Sequence, residues 1–283
     1  MQFPLPNHSA QSVEYVDGWF KTNPPSKVLK YSEIFIGWSD DLTKIHDSLG
    51  DHPIDLFSHN LAIESLKSSL NKNDPKILEI GCSSGKMLEK LMHQFPEAKL
   101  VGADVVKQPL FELAEKIDIP LLRFDLLKNP LPSKIFDVVV ILNILEHIED
   151  DLKALQNINN LLTDNGILIF EVPAFQFLYD GYDRDLCHFR RYSRNQLAFQ
   201  IRSAGFQIEI LNFMGFSIFL PFAIVKLKNK LFASNAILES NVKSSNNKFV
   251  STLLAFEEDN LRQLDVPFGI RLYGVAKKIK ELS

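Results

Sequence analysis

The stretch that decides the fold is residues 76–91, KILEIGCSSGKMLEKL. An apolar run containing Glu79 leads into two glycines, Gly81 and Gly85, and apolar residues then recur at helical spacing. The pattern predicts a strand over 76–80, a glycine turn and a helix over 85–95. Many proteins hold a nucleotide in this way, at the N-terminus of the helix.

Strands and helices alternate after this unit. We predict strands at 99–103, 120–124, 135–142 and 166–172, and helices at 107–117 and 150–162. A helix capped by Ser193, a strand over 206–212 and a last strand over 269–277 follow. The alternation predicts an α/β fold with a doubly wound, mostly parallel sheet. Ligands of such sheets bind beyond the carboxyl ends of the strands.

Composition excludes several classes of protein. The net charge of −4 argues against a nucleic-acid partner, which a basic surface would favour. Two cysteines cannot form a disulfide framework, and no residue spacing indicates a metal site. The first residues lack the basic flank and apolar run of a signal peptide, so we expect a cytoplasmic protein.

The glycine turn and the next strand ends indicate the kind of ligand. Ser83 stands where a dinucleotide fingerprint has its second glycine, and no phosphate-binding P-loop motif occurs. Asp104 and Asp125 close the next two predicted strands, so three carboxylates with Glu79 share one rim. This rim suits a cationic nucleoside better than a pyrophosphate. An NAD-dependent oxidoreductase is therefore disfavoured.

Four segments in order, ILEIGCSSG, VGAD, RFD and FDVVVILNILEHIED, resemble class I S-adenosylmethionine (SAM)-dependent methyltransferases of the small-molecule group. The resemblance covers roughly 74–172. It implies a seven-stranded Rossmann-like sheet with an antiparallel last strand, SAM as cofactor and S-adenosyl-L-homocysteine as product. A D…HxRRY segment after the fifth strand and a late PFG resemble a bacterial subset associated with surface polysaccharide or natural-product assembly.

The resemblance assigns roles to the residues of the rim. It implies a methionine end formed by Gly81, Cys82, Ser83 and Gly85, with Glu79 near the amine. It implies that Asp104 holds the ribose, that Val105, Asp125 and Leu126 frame the adenine, and that Asn143 closes the pocket. The alternatives are a plain tight turn at the glycines and simple helix capping at the aspartates.

Methyl transfer is an in-line displacement that depends mainly on alignment, and a protic acceptor also needs a base. His147 follows the fourth strand, and its ordinary pKa suits that role. The long connection after the fifth strand supplies further catalytic candidates, His188, Arg191 and Tyr192. The alternatives are a cofactor-pocket wall at His147 and a salt-bridge network that orders the connection.

We therefore expect methyl transfer to a small-molecule or glycan- or lipid-linked acceptor, most simply on oxygen and without a metal. The alternatives are an N- or C-methyltransferase and a non-catalytic, methyltransferase-like partner protein.

The predicted organisation is an irregular N-terminal cap segment over 1–58 and a SAM-binding domain over 59–283. Insertions are expected at about 173–192 and 213–265. The apolar stretch 210–225 is shorter than the roughly 20 residues of a membrane span. We expect it to be buried beneath the connection. A membrane-facing patch is the alternative, because Lys226, Lys228 and Lys230 follow.

Overall fold

A computed structural model of the chain describes residues 1–5, 8–32, 39–48, 52–232, 248–261 and 264–280. The strands are β1 Gln2–Leu5, β2 His8–Val16, β3 Trp19–Phe20, β4 Val28–Lys30, β5 Lys76–Ile80, β6 Lys99–Asp104, β7 Leu121–Arg123, β8 Phe136–Leu142, β9 Leu162–Pro173, β10 Phe206–Met214 and β11 Arg271–Lys278. The α-helices are α1 Asp40–Ser48, α2 Pro53–Ser69, α3 Lys86–Gln94, α4 Gln108–Ala114, α5 Asp151–Leu161, α6 Gly181–Asp185, α7 Arg194–Ser203, α8 Phe219–Phe232 and α9 Lys248–Asn260.

The central sheet has eight strands in the order β10-β11-β9-β8-β5-β6-β7-β4. The seven predicted strands all form, and β11 is antiparallel to both β9 and β10, as expected. The eighth strand, β4, comes from the N-terminal segment and pairs in parallel with β7. The α/β fold class is confirmed with this one addition.

The two faces of the sheet bury separate hydrophobic clusters. Along β8, Val139 and Ile141 belong to the cluster that includes α5 and α7. Val138 and Val140 belong to the cluster that includes α2, α3 and α4. A parallel strand covered by helices on both faces is apolar throughout, which explains the run IFDVVVIL.

The prediction that residues 1–58 are irregular is wrong for the described part of the segment. β1, β2 and β3 form a small antiparallel sheet, and β2 turns into β3 at Asp17 and Gly18. Both turn residues have positive φ, 50° and 78°, as tight hairpin turns require. α2 also begins at Pro53, within the predicted cap segment 1–58, because His52 caps it and Pro53 opens it.

The apolar stretch 210–225 divides between two elements. β10 takes it as far as Met214, and α8 begins at Phe219. Met214 and Ile218 are buried, but Ile210, Leu220 and Ile224 are exposed, so the expected burial holds only in part. No helix in the described ranges is long and apolar enough to cross a membrane. Within the predicted insertion 213–265, residues 233–247 and 262–263 lie outside the described residues.

Candidate active site

A cavity of about 1270 Å³ lies at the carboxyl ends of the parallel strands, where strand order reverses between β5 and β8. Pockets for one drug-sized ligand occupy about 300–1,000 Å³, so this cavity is larger than the usual single-ligand pocket. The predicted cofactor residues that line it are Glu79, Gly81, Cys82, Ser83, Asp104, Val105, Asp125, Leu126 and Asn143. The predicted catalytic residues that line it are His147, His188 and Arg191.

The glycine turn is built by backbone hydrogen bonds. Gly81 N donates to Ala103 O at 2.8 Å, and Gly85 N donates to Cys82 O at 2.7 Å. Both glycines have positive φ, 83° and 88°. A Cβ on Gly81 would lie 2.2 Å from Ile144 Cδ1, so a side chain here would have to displace Ile144. Gly85 does not line the cavity. It packs against Leu113 and shapes the turn from behind.

Asp104 joins the turn to the end of β6. Its Oδ2 accepts from Ser83 N at 2.8 Å, and its Oδ1 accepts from Val105 N at 2.7 Å and from Val106 N at 3.2 Å. A carboxylate has about four lone-pair sites, so these bonds leave about one for a ligand. Burial raises the pKa of Asp104, and the backbone N–H groups oppose the rise.

Glu79 is the residue of the rim whose environment most favours a cationic or hydrogen-donating ligand. Its side chain is only 6% exposed, and its Oε2 has no hydrogen-bond partner among the described residues. Burial, and next the charge of Asp104, raise the pKa of Glu79 well above its usual value. An ammonium group would satisfy both the orphaned oxygen and the negative rim.

Asp125 and Asn143 border the same cavity, and each also holds its own turn. Asp125 Oδ1 accepts from Leu127 N at 2.9 Å and caps a short 3₁₀ helix, Leu126–Lys128. Asn143 has a φ of 53° and donates from Nδ2 to Glu171 Oε1 at 2.7 Å. The helix-capping alternative therefore holds for Asp125, together with its place on the cavity wall.

The other end of the cavity is formed by the connection between β9 and α7. His188 Nδ1 lies 2.9 Å from Asp183 Oδ1. The same carboxylate pairs with Arg191 at 2.8 Å and Lys226 at 2.9 Å. Burial alone would raise the pKa of Asp183, but the bond to His188 and the charges of Arg191 and Lys226 outweigh it and hold the pKa far below the usual range.

This pairing fixes the proton of the His188 ring. An ionised carboxylate only accepts hydrogen bonds, so Nδ1 carries the hydrogen and Nε2 of the neutral ring is a proton acceptor. Burial lowers the pKa of His188, and Asp183 opposes the shift. His188 also contacts His147 edge to face, with ring centroids 4.6 Å apart.

Glu146 also lines the cavity beside the two histidines, although the sequence reasoning assigned it no role. It is 1% exposed, and its Oε2 has no hydrogen-bond partner among the described residues. Burial raises its pKa to about 8. A carboxylate oxygen of Glu146 and ring nitrogens of His147 and His188 lie within 4.8 Å of one another. Within the described ranges, this is the one group of three or more such residues able to hold a metal ion.

Two of the predicted catalytic residues, Tyr192 and Arg191, are held by hydrogen bonds and ion pairs of the connection. Tyr192 is fully buried away from the cavity, and its hydroxyl donates to Asp151 Oδ2 at 2.8 Å. Arg191 reaches the cavity wall, but its Nε and Nη2 both bond Asp183, so it holds the aspartate that orients His188. The salt-bridge alternative thus describes this connection.

Comparison with known proteins agrees with this geometry. Residues 78–168 match a family described as a methyltransferase domain. The segment includes the glycine turn, Asp104, Asp125 and Glu146. Residues 78–168 therefore carry a methyltransferase domain, of the class I SAM-dependent kind that the sequence predicts. SAM is the cofactor of this class, and the orphaned Glu79 oxygen, the tight Gly81 turn and the acidic rim fit its cationic methionine and its nucleoside.

Similar proteins include a malonyl-[acyl-carrier protein] O-methyltransferase of Halalkalibacterium halodurans, 28% identical over 40% of this chain and 44% of that protein. A tRNA U34 carboxymethyltransferase of Campylobacter jejuni is 32% identical over 38% of each chain. The chain thus spans less than half the length of these curated relatives.

A solved structure with the same fold is a Haemonchus contortus phosphoethanolamine N-methyltransferase in complex with S-adenosylhomocysteine. The two share 17% identity with a TM-score of 0.59, over 86% of this chain and 59% of that chain.

Proposed function

We propose that the protein transfers the methyl group of SAM to an oxygen of a small-molecule, glycan-linked or lipid-linked acceptor. One observation carries this proposal. The acidic rim of Glu79, Asp104 and Asp125 lines the same cavity as His147 and His188. Bound SAM supplies a methyl carbon on a sulfonium, an excellent leaving group, so alignment within a closed site contributes much of the catalysis.

In this proposal, different residues of the acidic rim bind different parts of SAM. Glu79 receives the ammonium group, and the backbone of the turn at Gly81 and Ser83 lies along the methionine chain. Asp104 accepts one ribose hydroxyl with its remaining lone-pair site. Asp125 accepts from the adenine amine with the oxygen that does not cap the 3₁₀ helix.

His188 is the residue proposed to take the acceptor's proton. Its Nε2 is a free lone pair in the neutral ring, since Asp183 holds the hydrogen on Nδ1. His147 stands against it on the cavity wall and limits the position of the acceptor. Glu146, with a pKa of about 8, is protonated at neutral pH and offers a hydrogen-bond donor beside them.

The test is transfer of label from methyl-labelled SAM to fractionated small molecules and lipid extracts, with the wild type and with His188→Gln. We expect labelled product from the wild type, and ¹³C NMR of the transferred methyl should show an oxygen-bound carbon. A nitrogen- or carbon-bound methyl would support the alternative chemistry. SAM binding with no transfer to any fraction would favour a non-catalytic partner.

Repeating the assay with a chelator distinguishes a histidine base from a metal site. The proposed base needs no cation, so dialysis against EDTA should leave the rate unchanged. A rate that falls and returns with a divalent cation would show that Glu146, His147 and His188 act as ligands instead.

A further inference from the structure

Helix α8 exposes a continuous apolar ridge. Leu220, Ile224, Leu227 and Leu231 are spaced by four, three and four residues, which places them on one stripe of the helix. Leu220 is 68% exposed, Ile224 66% and Leu231 79%. Soluble helices bury such a stripe, so this one is directed outward, away from the core.

Two lysines flank the ridge. At about 100° per residue, Lys228 and Lys230 fall on opposite sides of the apolar stripe. Both are exposed, and neither pairs with an acidic group among the described residues. An apolar stripe bordered by cations is the pattern of a helix lying in the plane of an anionic bilayer.

The opposite side of α8 belongs to the cavity. Phe222 and Lys226 line the interior, and Lys226 is fixed by Asp180 at 2.7 Å and by Asp183. The helix that carries the ridge is thus anchored to the carboxylate that orients His188. A surface contact of α8 therefore lies one helix diameter, about 10 Å, from the acceptor end of the cavity.

The wall of the cavity is also apolar where it meets solvent. Leu56 of α2, Phe189 of the connection and Val225 of α8 line the cavity and are 40%, 50% and 47% exposed. These side chains come from three separate elements, and Val225 adjoins Ile224 of the ridge. An acceptor that enters across them passes over apolar surface.

We infer that α8 rests on an anionic lipid bilayer and that the acceptor head group enters the cavity from that surface. The acceptor class is then an amphiphile whose polar head is methylated while its chain stays in the membrane. The helix has 14 residues, about 21 Å, so it lies along a bilayer and does not cross it. The second half of this inference rests on the proposed methyl transfer. The surface contact does not.

The test is co-sedimentation of the full chain with vesicles of phosphatidylcholine alone or mixed with phosphatidylglycerol. We expect binding that increases with phosphatidylglycerol and weakens with salt. The variant Leu220→Ser/Ile224→Ser/Leu231→Ser should bind on the order of 100-fold more weakly. Lys228→Glu/Lys230→Glu should lose at least roughly 30-fold in affinity for the anionic vesicles, because two cations are removed and two anions added.

Matched controls lie elsewhere on the surface. Phe199→Ser removes an equally exposed side chain, 69%, from α7, and Lys116→Glu/Lys153→Glu changes two exposed lysines, one in the turn after α4 and one on α5. Both should bind vesicles like the wild type. All variants should unfold at the wild-type temperature, since every substituted side chain is exposed.

Two results would overturn the inference. One is no sedimentation with either lipid mixture. The other is a dimer in light scattering that the ridge variant dissociates, since the ridge would then be a contact between copies. Calorimetric titration of the same samples with SAM distinguishes a failure of the surface contact from a failure of the proposed methyl transfer. Vesicle binding without SAM binding defeats only the methyl transfer, and SAM binding without vesicle binding defeats only the surface contact.

Discussion

The two ends of the cavity are held together by different kinds of interaction. At the SAM end, Gly81, Ser83, Asp104 and Asp125 are fixed by backbone hydrogen bonds within strand–turn–helix units. At the acceptor end, side-chain ion pairs join Asp183 to residues from other elements. The cofactor end is thus a property of local turns, and the acceptor end depends on tertiary packing.

The largest expected effect comes from Asp183→Asn at the acceptor end. The substitution leaves Arg191 and Lys226 as buried cations with one fewer anionic partner, and it removes the negative charge that keeps the hydrogen on His188 Nδ1. Breaking a buried pair in this way costs about 3–5 kcal/mol of stability. Urea unfolding measures the loss. Asp185→Asn, exposed on the same helix, is the control and should unfold like the wild type.

His188→Gln should separate chemistry from binding. The amide keeps a polar side chain of similar size but cannot take a proton at neutral pH. We expect kcat to fall by about 10²–10⁴-fold, the usual contribution of a general base. The affinity for SAM should not change. A His188→Gln variant with the wild-type kcat would show that His147 is the base or that the reaction needs no base.

Gly81→Ala tests the SAM end of the cavity, where the backbone conformation and not a side-chain ion pair holds the site. A Cβ at a φ of 83° costs roughly 1–2 kcal/mol, and here it also meets Ile144 Cδ1. We expect about tenfold weaker SAM binding by calorimetry, with the ion pairs of the acceptor end intact. Gly181→Ala is the control for SAM affinity, because Gly181 has no positive φ and an added Cβ meets nothing closer than Arg184 Nη2 at 3.5 Å.

The smallest effect is the pH dependence of the rate. Burial lowers the pKa of His188 below its ordinary value of 6.5, so the neutral, basic form predominates at pH 7. The rate should therefore rise as pH increases through a value below 6.5 and then stay level until Glu146, with a pKa of about 8, loses its proton. His188→Gln should remove this rise. A rise centred above 6.5 in the wild type would contradict the assignment.

The contrast between the two ends also explains which parts the sequence could predict. The glycine turn, Asp104 and Asp125 lie directly at strand ends, so their meeting follows from the parallel sheet alone. The strand β4 was missed because three residues, VLK, carry no periodic pattern. The hairpin at Asp17-Gly18 had a readable signal, a turn dipeptide between alternating residues.

The acceptor end could be predicted only in part. The HxRRY segment indicated a functional connection, but the partner of Asp183, Lys226, lies 43 residues away on α8. No local sequence pattern connects the two residues, and Lys226 was grouped with Lys228 and Lys230 as a surface lysine. Tyr192 belonged to the same motif and proved to be buried against Asp151. Glu146 stood in LEH beside His147, and its orphaned oxygen is visible only in three dimensions.

The central claim is that the acidic rim binds SAM, and calorimetric titration tests it most directly. Wild-type protein should bind SAM and S-adenosylhomocysteine and not NADH. Asp104→Ala should lose both ligands, because the carboxylate holds the turn at Ser83 and supplies the site for the ribose. Glu97→Ala, exposed and remote from the cavity, should bind like the wild type. Folded wild-type protein that binds NADH, or that binds neither adenosyl ligand, would contradict the account.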